Sequence, residues 1–122
     1  MNTGTSAAQF TLSFFADQTG APMSLPLAFP QPDGGTSTLA SSITQNLTAG
    51  ATRMIVSTGA ANLLTGSAQL ATAGHISGFV IFRHNDQEAV VPLESRNAIG
   101  YIVAFDDTNG TATGIAVNAV ST

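Results

Sequence analysis

Apolar and polar positions along this chain alternate in short runs broken by turn residues. Residues 8 to 15, Ala-Gln-Phe-Thr-Leu-Ser-Phe-Phe, put Phe10, Leu12 and Phe14 on one side and Thr11 and Ser13 on the other, which predicts a half-buried strand. Asp17-Gln18-Thr19-Gly20 reads as a turn with Gly20 at positive φ. Met23 to Phe29 then resumes an extended pattern through Leu25 and Leu27, so the first unit predicted is a hairpin. Pro22, Pro26, Pro30 and Pro32 lack a ladder donor and restrict that strand's neighbours. Pro32-Asp33-Gly34-Gly35 is the strongest turn signal. Beyond it Leu39, Ile43 and Leu47 recur at helical spacing, but the surrounding threonines oppose a helix, and residues 36 to 47 are read as strand. Residues 53 to 58 form the next strand, and residues 66 to 72 follow a connecting turn.

The densest run of β-branched and aromatic residues is 74 to 84, Gly-His-Ile-Ser-Gly-Phe-Val-Ile-Phe-Arg-His. Alternation places Ile76, Val80 and Phe82 on one face and Phe79 and Ile81 on the other. Both faces are apolar, which predicts a central strand covered on both sides. Gly74 and Gly78 interrupt the run, and a glycine there marks a bulge or a close backbone approach. Residues 84 to 87 are a polar reversal, and 88 to 93 pair back. Residues 99 to 105 alternate as a second buried strand. Asp106 to Gly110 is a hairpin signal, because Asn109-Gly110 accommodates the positive φ values of a type I′ turn, and residues 112 to 120 return as the last strand.

Short strands joined by turns, with no long helical pattern, imply an all-β fold: an antiparallel β-sandwich, with a small closed barrel as the alternative. At 122 residues the chain reads as one domain, 1 to 122, long enough to bury a core. Ile115 to Thr122 stops just after a strand and Asn2 to Ser6 begins in what reads as the loop after one, so the chain is expected to be one unit of a tandem array.

Charge narrows the function classes. Only 8% of residues are charged, lysine is absent, and Arg53, Arg83 and Arg96 face seven carboxylates for a net charge of −4. No basic stripe is available to neutralise phosphates, which argues against nucleic acid. No apolar run approaches the roughly 20 residues of a membrane-spanning helix, and no signal peptide follows Met1. The Thr/Ser/Ala/Gly-rich, lysine-free composition favours a piece of an exported bacterial protein, extracellular or at the cell surface, over a cytosolic chain. There are no cysteines, so disulfides and thiolate metal sites are excluded.

Phe-Thr-Leu-Ser-Phe-Phe-Ala-Asp-Gln-Thr-Gly near the start, and Ser-Gly-Phe-Val-Ile-Phe-Arg followed by Gln-Glu-Ala-Val-Val-Pro-Leu in the middle, resemble the β-sandwich modules, immunoglobulin-like in a broad sense, in the tails of large secreted bacterial proteins. The resemblance lies in strand texture and covers most of the chain, without the cysteines and tryptophan of antibody domains. It implies a structural or adhesive role and transfers no catalytic residue.

Few residues could carry chemistry. His84, Asp86 and Glu88, with His75 nine positions before His84, form the one cluster suited to a metal or to acid–base work. The odd separation puts the two histidines on opposite faces of a regular strand. Asp106, Asp107 and Asn109 offer oxygen ligands for calcium, but without the spacing and distal Glu of an EF-hand loop. No nucleophile–base pair stands out. Tyr101 and the phenylalanines, Phe15 among them, are the candidates for a sugar-stacking platform, though tryptophan is lacking. The expectation is therefore a non-catalytic structural or adhesive module with no cofactor. It self-associates, or pairs with neighbouring modules, through strand edges at 8 to 15 and 112 to 120, which contain no charge. Carbohydrate binding and a metal-dependent hydrolase are the alternatives.

Overall fold

The computed structural model of the chain describes residues 1–30, 35–59, 62, 64–84, 86–94, 99–104, 106–110, 113–115 and 117. Among these there is no helix. Eight strands form three antiparallel sheets: β1 (Ala8–Ala16), β2 (Leu25–Ala28), β3 (Ser37–Ala40), β4 (Ser42–Leu47), β5 (Val56–Ser57), β6 (Gly66–Thr72), β7 (Phe79–His84) and β8 (Gln87–Pro92). The sheet orders are β4-β1-β6, β3-β2-β5 and β7-β8. Among the described residues no sheet closes on itself, so the architecture is the β-sandwich class and the barrel alternative falls away.

β1 is the middle strand of the first sheet. Its Phe10 lies opposite Gln45 of β4 and Thr72 of β6, and Leu12 lies between Ile43 and Leu70. The alternation read from the sequence holds, with Phe10 and Phe14 buried. The opposite face carries a polar seam in which the Thr11 and Thr44 hydroxyls meet at 2.9 Å and those of Ser13 and Ser42 at 3.1 Å. Because β1 is paired on both sides, residues 8 to 15 are not the open edge that their lack of charge suggested.

The expected first hairpin is only a stub. Phe15 and Pro22 form a single bridge, the Met23 N–H donates to the Phe14 carbonyl, and Gly20 takes φ 65° in the turn. The chain then leaves for the second sheet as β2. The return is a mirror of this departure. Residues 37 to 40 and 42 to 47 are strand, as expected, but the chain bends at Ser41 and changes sheet there: β3 pairs with β2, β4 pairs with β1, and the Ser41 carbonyl accepts from Phe14 N–H. Pro26 sits in the middle strand of its sheet. β5 matches only Leu27 and Ala28 in register, and the Pro26 carbonyl still accepts from Thr58. The core is thus Ala8, Phe10, Phe14, Leu27, Ala28 and Leu47, drawn from both three-stranded sheets. Arg53 links the same two regions, donating to Gln45 Oε1 at 3.2 Å and lying 5.9 Å from the Phe29 ring centre.

The amino-terminal stretch, read as a loop, is a clasp. Asn2 is fully buried, at 0% exposure. Its side-chain amide donates to the carbonyls of Ser6 (2.8 Å) and Leu47 (3.0 Å), and its Oδ1 accepts from Gly4 N–H (2.9 Å). Its backbone N–H and carbonyl are bonded to Ala51 and Gly50, so all its polar groups have partners, as burial demands. Asn2 also bridges Ile76, while Thr3 and Ser77 extend the contact on either side through the carbonyls of His75 and Met1.

The run 74 to 84 departs most from expectation. It is not one covered strand. Ile76 pairs with the amino-terminal clasp, and the strand proper begins at Phe79 and, among the described residues, pairs only with β8. Phe79 is 65% and Phe82 59% exposed, and Val80, Ile81, Val90 and Val91 are exposed with them. Residues 76 to 82 are therefore not buried, and Phe82 is not a core aromatic. The second expected buried strand fails likewise: residues 99–104 are not strand, and Ile99, Tyr101, Ile102 and Val103 are exposed. Most of the expected last strand, 112 to 120, lies outside the described residues.

Candidate functional site

The exposed β7–β8 hairpin is the feature of this molecule that most needs a functional account. Its register pairs Phe79 with Pro92, Val80 with Val91, Ile81 with Val90, Phe82 with Ala89, Arg83 with Glu88 and His84 with Gln87. Directly opposed residues share a face. One face therefore carries Phe79, Ile81, Val90 and Pro92, closed at the turn end by the Arg83–Glu88 ion pair at 2.8 Å. The other carries Val80, Phe82, Ala89 and Val91. Among the described residues neither face packs extensively on another strand. A run apolar on both faces is what a covered strand looks like in sequence, and here it stands in solvent.

The edges differ in hydrogen-bonding capacity. Leu93 N–H donates to the Gly78 carbonyl at 3.0 Å, and this bond sets the parity of the ladder. In an antiparallel pair the N–H groups alternate between partner and open side. Val80 and Phe82 therefore face β8, while Phe79, Ile81 and Arg83 turn their N–H groups to the outer edge of β7. On β8 the outward positions are Glu88, Val90 and Pro92, and Pro92 has no donor. The β7 edge is the one with an uninterrupted row of donors.

The candidate ligand clusters disperse. His75 lies beside the amino-terminal clasp, its carbonyl accepting from the Thr3 N–H (2.8 Å) and hydroxyl (3.1 Å), whereas His84 ends β7. Glu88 is taken by Arg83, and Asp86 is in the turn. Among the described residues no three His, Asp or Glu side chains come together in a metal-binding group. Asp106 serves its own turn instead. Its Oδ1 accepts from the Thr108 N–H (2.9 Å) and hydroxyl (2.6 Å), which hold its carboxyl below the ordinary value, the side-chain bond contributing most. Asn109 and Gly110 take φ 54° and 81°, the two positive values expected of a type I′ pair. The Thr113 hydroxyl closes the reversal, accepting from Asp106 N–H and donating to its carbonyl. Asp107 is exposed beside it.

The aromatic candidates do not assemble into a platform on the hairpin, because Phe79 and Phe82 are of opposite parity and lie on opposite faces. Phe15 is half-buried. An open groove runs between residues 6–11 and 71–74, lined by small residues, Gln9, Phe10 and two threonines, with no acid or base. Sequence reasoning missed Asn2 altogether; an Asn-Thr-Gly-Thr-Ser stretch has the composition of a loop, and nothing local distinguishes a buried clasp. Compared with known protein families, curated proteins and solved structures, the chain matches none.

Proposed function

We propose that this chain is a non-catalytic structural or adhesive module of an exported bacterial protein, immunoglobulin-like in the broad sense, that associates with neighbouring copies or modules through strand edges. The observation that carries the reading is the hairpin. Its strands are apolar on both faces, exposed, and uncharged except for Arg83 and Glu88 next to the turn. Soluble chains guard open edges with charges, prolines or bulges, and on β7 only Arg83 offers any guard. Main-chain pairing along such an edge supplies affinity without a ligand pocket. The absence of lysine and the Thr/Ser/Ala/Gly-rich composition support an extracellular setting.

Carbohydrate binding is the second reading, favoured by the exposure of Phe79, Phe82 and Tyr101. It is the weaker one because the two hairpin rings face opposite ways, whereas stacking on sugars needs a shared plane. Sedimentation velocity across a wide concentration range, beside a polysaccharide-binding assay, decides between them. Concentration-dependent oligomers without sugar binding are expected. A chain that stays monomeric at millimolar concentration and binds polysaccharide overturns the assembly reading, and stoichiometric zinc or iron in the purified protein overturns the non-catalytic one.

A further inference from the structure

We infer that the partner of this hairpin is a second copy of the same hairpin, joined across a two-fold axis at the outer edge of β7 to give a four-stranded sheet ordered β8-β7-β7-β8. The inference rests on the strand-edge reading above and specifies the edge, the occupant and the register. Phe79, Ile81 and Arg83 point their N–H groups outward, whereas the β8 edge is interrupted by Pro92. An edge that pairs with its own copy is self-complementary, as a two-fold interface must be.

The register follows from parity and charge. Outward-facing residues must oppose outward-facing residues, and of the arrangements this permits, the one centred on Ile81 overlaps the strands most fully. It sets Ile81 against Ile81 of the second copy and Phe79 against Arg83 of the second copy, twice by symmetry. On the other face it sets Val80 against Phe82 of the second copy. The guanidinium of Arg83 then lies across from an aromatic ring rather than from its own like charge, a favourable pairing. A register shifted to place Arg83 opposite Arg83 loses both overlap and charge balance.

Stability and area point the same way. A two-stranded hairpin that packs on no other strand is marginal in water, and three or more strands are the usual minimum. Pairing across β7 reaches four strands and satisfies about six main-chain hydrogen-bonding positions along the edge. The contact is confined to one short strand edge on each copy, so the area covered falls at the low end for specific interfaces. The dimer should therefore be reversible and concentration-dependent, not permanent.

The test uses charge at the symmetry point. Ile81→Lys and Ile81→Glu each place like charges opposite one another in a homodimer, and neither touches the β7–β8 bonds. Each variant alone should dimerise about fivefold more weakly than the parent, and an equimolar mixture should recover a heterodimer, read by sedimentation or by native mass spectrometry. Circular dichroism on each variant checks that the core sheets persist. Homodimers of either variant as tight as the parent's, or a mixture no tighter than its components, would overturn this register while leaving assembly through another edge standing. A parent chain that is monomeric at all concentrations would overturn both.

Discussion

Phe10 and Phe82 sit in stretches that look alike in sequence, yet one is 4% and the other 59% exposed. Both lie in aromatic-rich runs of strand pattern, the first alternating with polar residues and the second apolar on both faces up to Arg83. What separates them is the number of neighbours the strand recruits. β1 is flanked by β4 and β6 and faces the core contributed by Leu27 and Ala28. Among the described residues β7 has only β8. Apolar pattern specifies what a strand needs, not whether the same chain provides it. Truncation measures the difference directly. Phe10→Ala should cost about 3 to 5 kcal/mol, as for other core aromatics, whereas Phe82→Ala should leave the monomer within about 0.5 kcal/mol of the parent. Urea unfolding at low concentration, where assembly is minimal, checks both. A large loss for Phe82→Ala would show that the hairpin is covered within its own chain and erase the contrast.

The second way to sharpen it is through Asn2, which ties the packed half to the segment leading into the hairpin. Asn2→Asp keeps the shape but loses both side-chain donors, leaving the Ser6 and Leu47 carbonyls facing a carboxylate in a dry site. Unsatisfied buried polar groups cost about 1 to 3 kcal/mol each, so a loss of about 3 kcal/mol or more is expected in thermal unfolding. Asn2→Ala should cost less, because it removes the bonds without adding a charge. Equal or negligible effects would mean the clasp contributes nothing to the packed half.

Two glycines at the junction make a smaller, internal comparison. A Cβ on Gly74 would meet the Ala8 side chain at 2.5 Å, and one on Gly78 would meet open space. Gly74→Ala should therefore destabilise by about 1 to 3 kcal/mol, as overpacking does, while Gly78→Ala should be neutral. Proteolytic susceptibility and melting temperature report both, and a neutral Gly74→Ala would show that the start of β1 yields easily at this point.

These contrasts also mark what was readable in advance. Local matters were: the β1 alternation, the Gly20 turn, the strand character of 37 to 47 despite its helical spacing, the reversal between His84 and Gln87, and the close approach at Gly74. Each depends on neighbours in sequence or on the conformation of a single residue. Matters of partnership were not. Nothing in 8 to 15 announces a middle strand, and nothing in 36 to 47 fixes the change of sheet at Ser41. The apolar faces of 79 to 82 announce a cover without naming it. Candidate ligands suffered the same limit: His84, Asp86 and Glu88 are close in sequence, but Arg83 opposite Glu88 in register engages that carboxylate before a metal could.

The smallest expected effect concerns the Asp106 turn, and its direction follows from the sign of the shift. Thr108 holds the Asp106 carboxyl below its ordinary value through bonds that only the ionised form accepts fully. A carboxylate depressed in the folded chain adds stability above the unfolded value, and that contribution fades as pH falls through the lower, folded value. Acidification below about pH 4 should therefore loosen residues 106 to 110 while β1, β4 and β6 remain folded, because the carboxyl is in solvent and screened. The Thr108 amide shift, followed by NMR against pH, should titrate below the range of an unfolded aspartate and lose that titration in Asp106→Asn. A midpoint at or above the unfolded value would mean that Thr108 does not hold the ionised form. A simultaneous loss of the β1 amides would mean that the turn and the packed sheets unfold as one unit, contrary to the separation that Phe10 and Phe82 mark out.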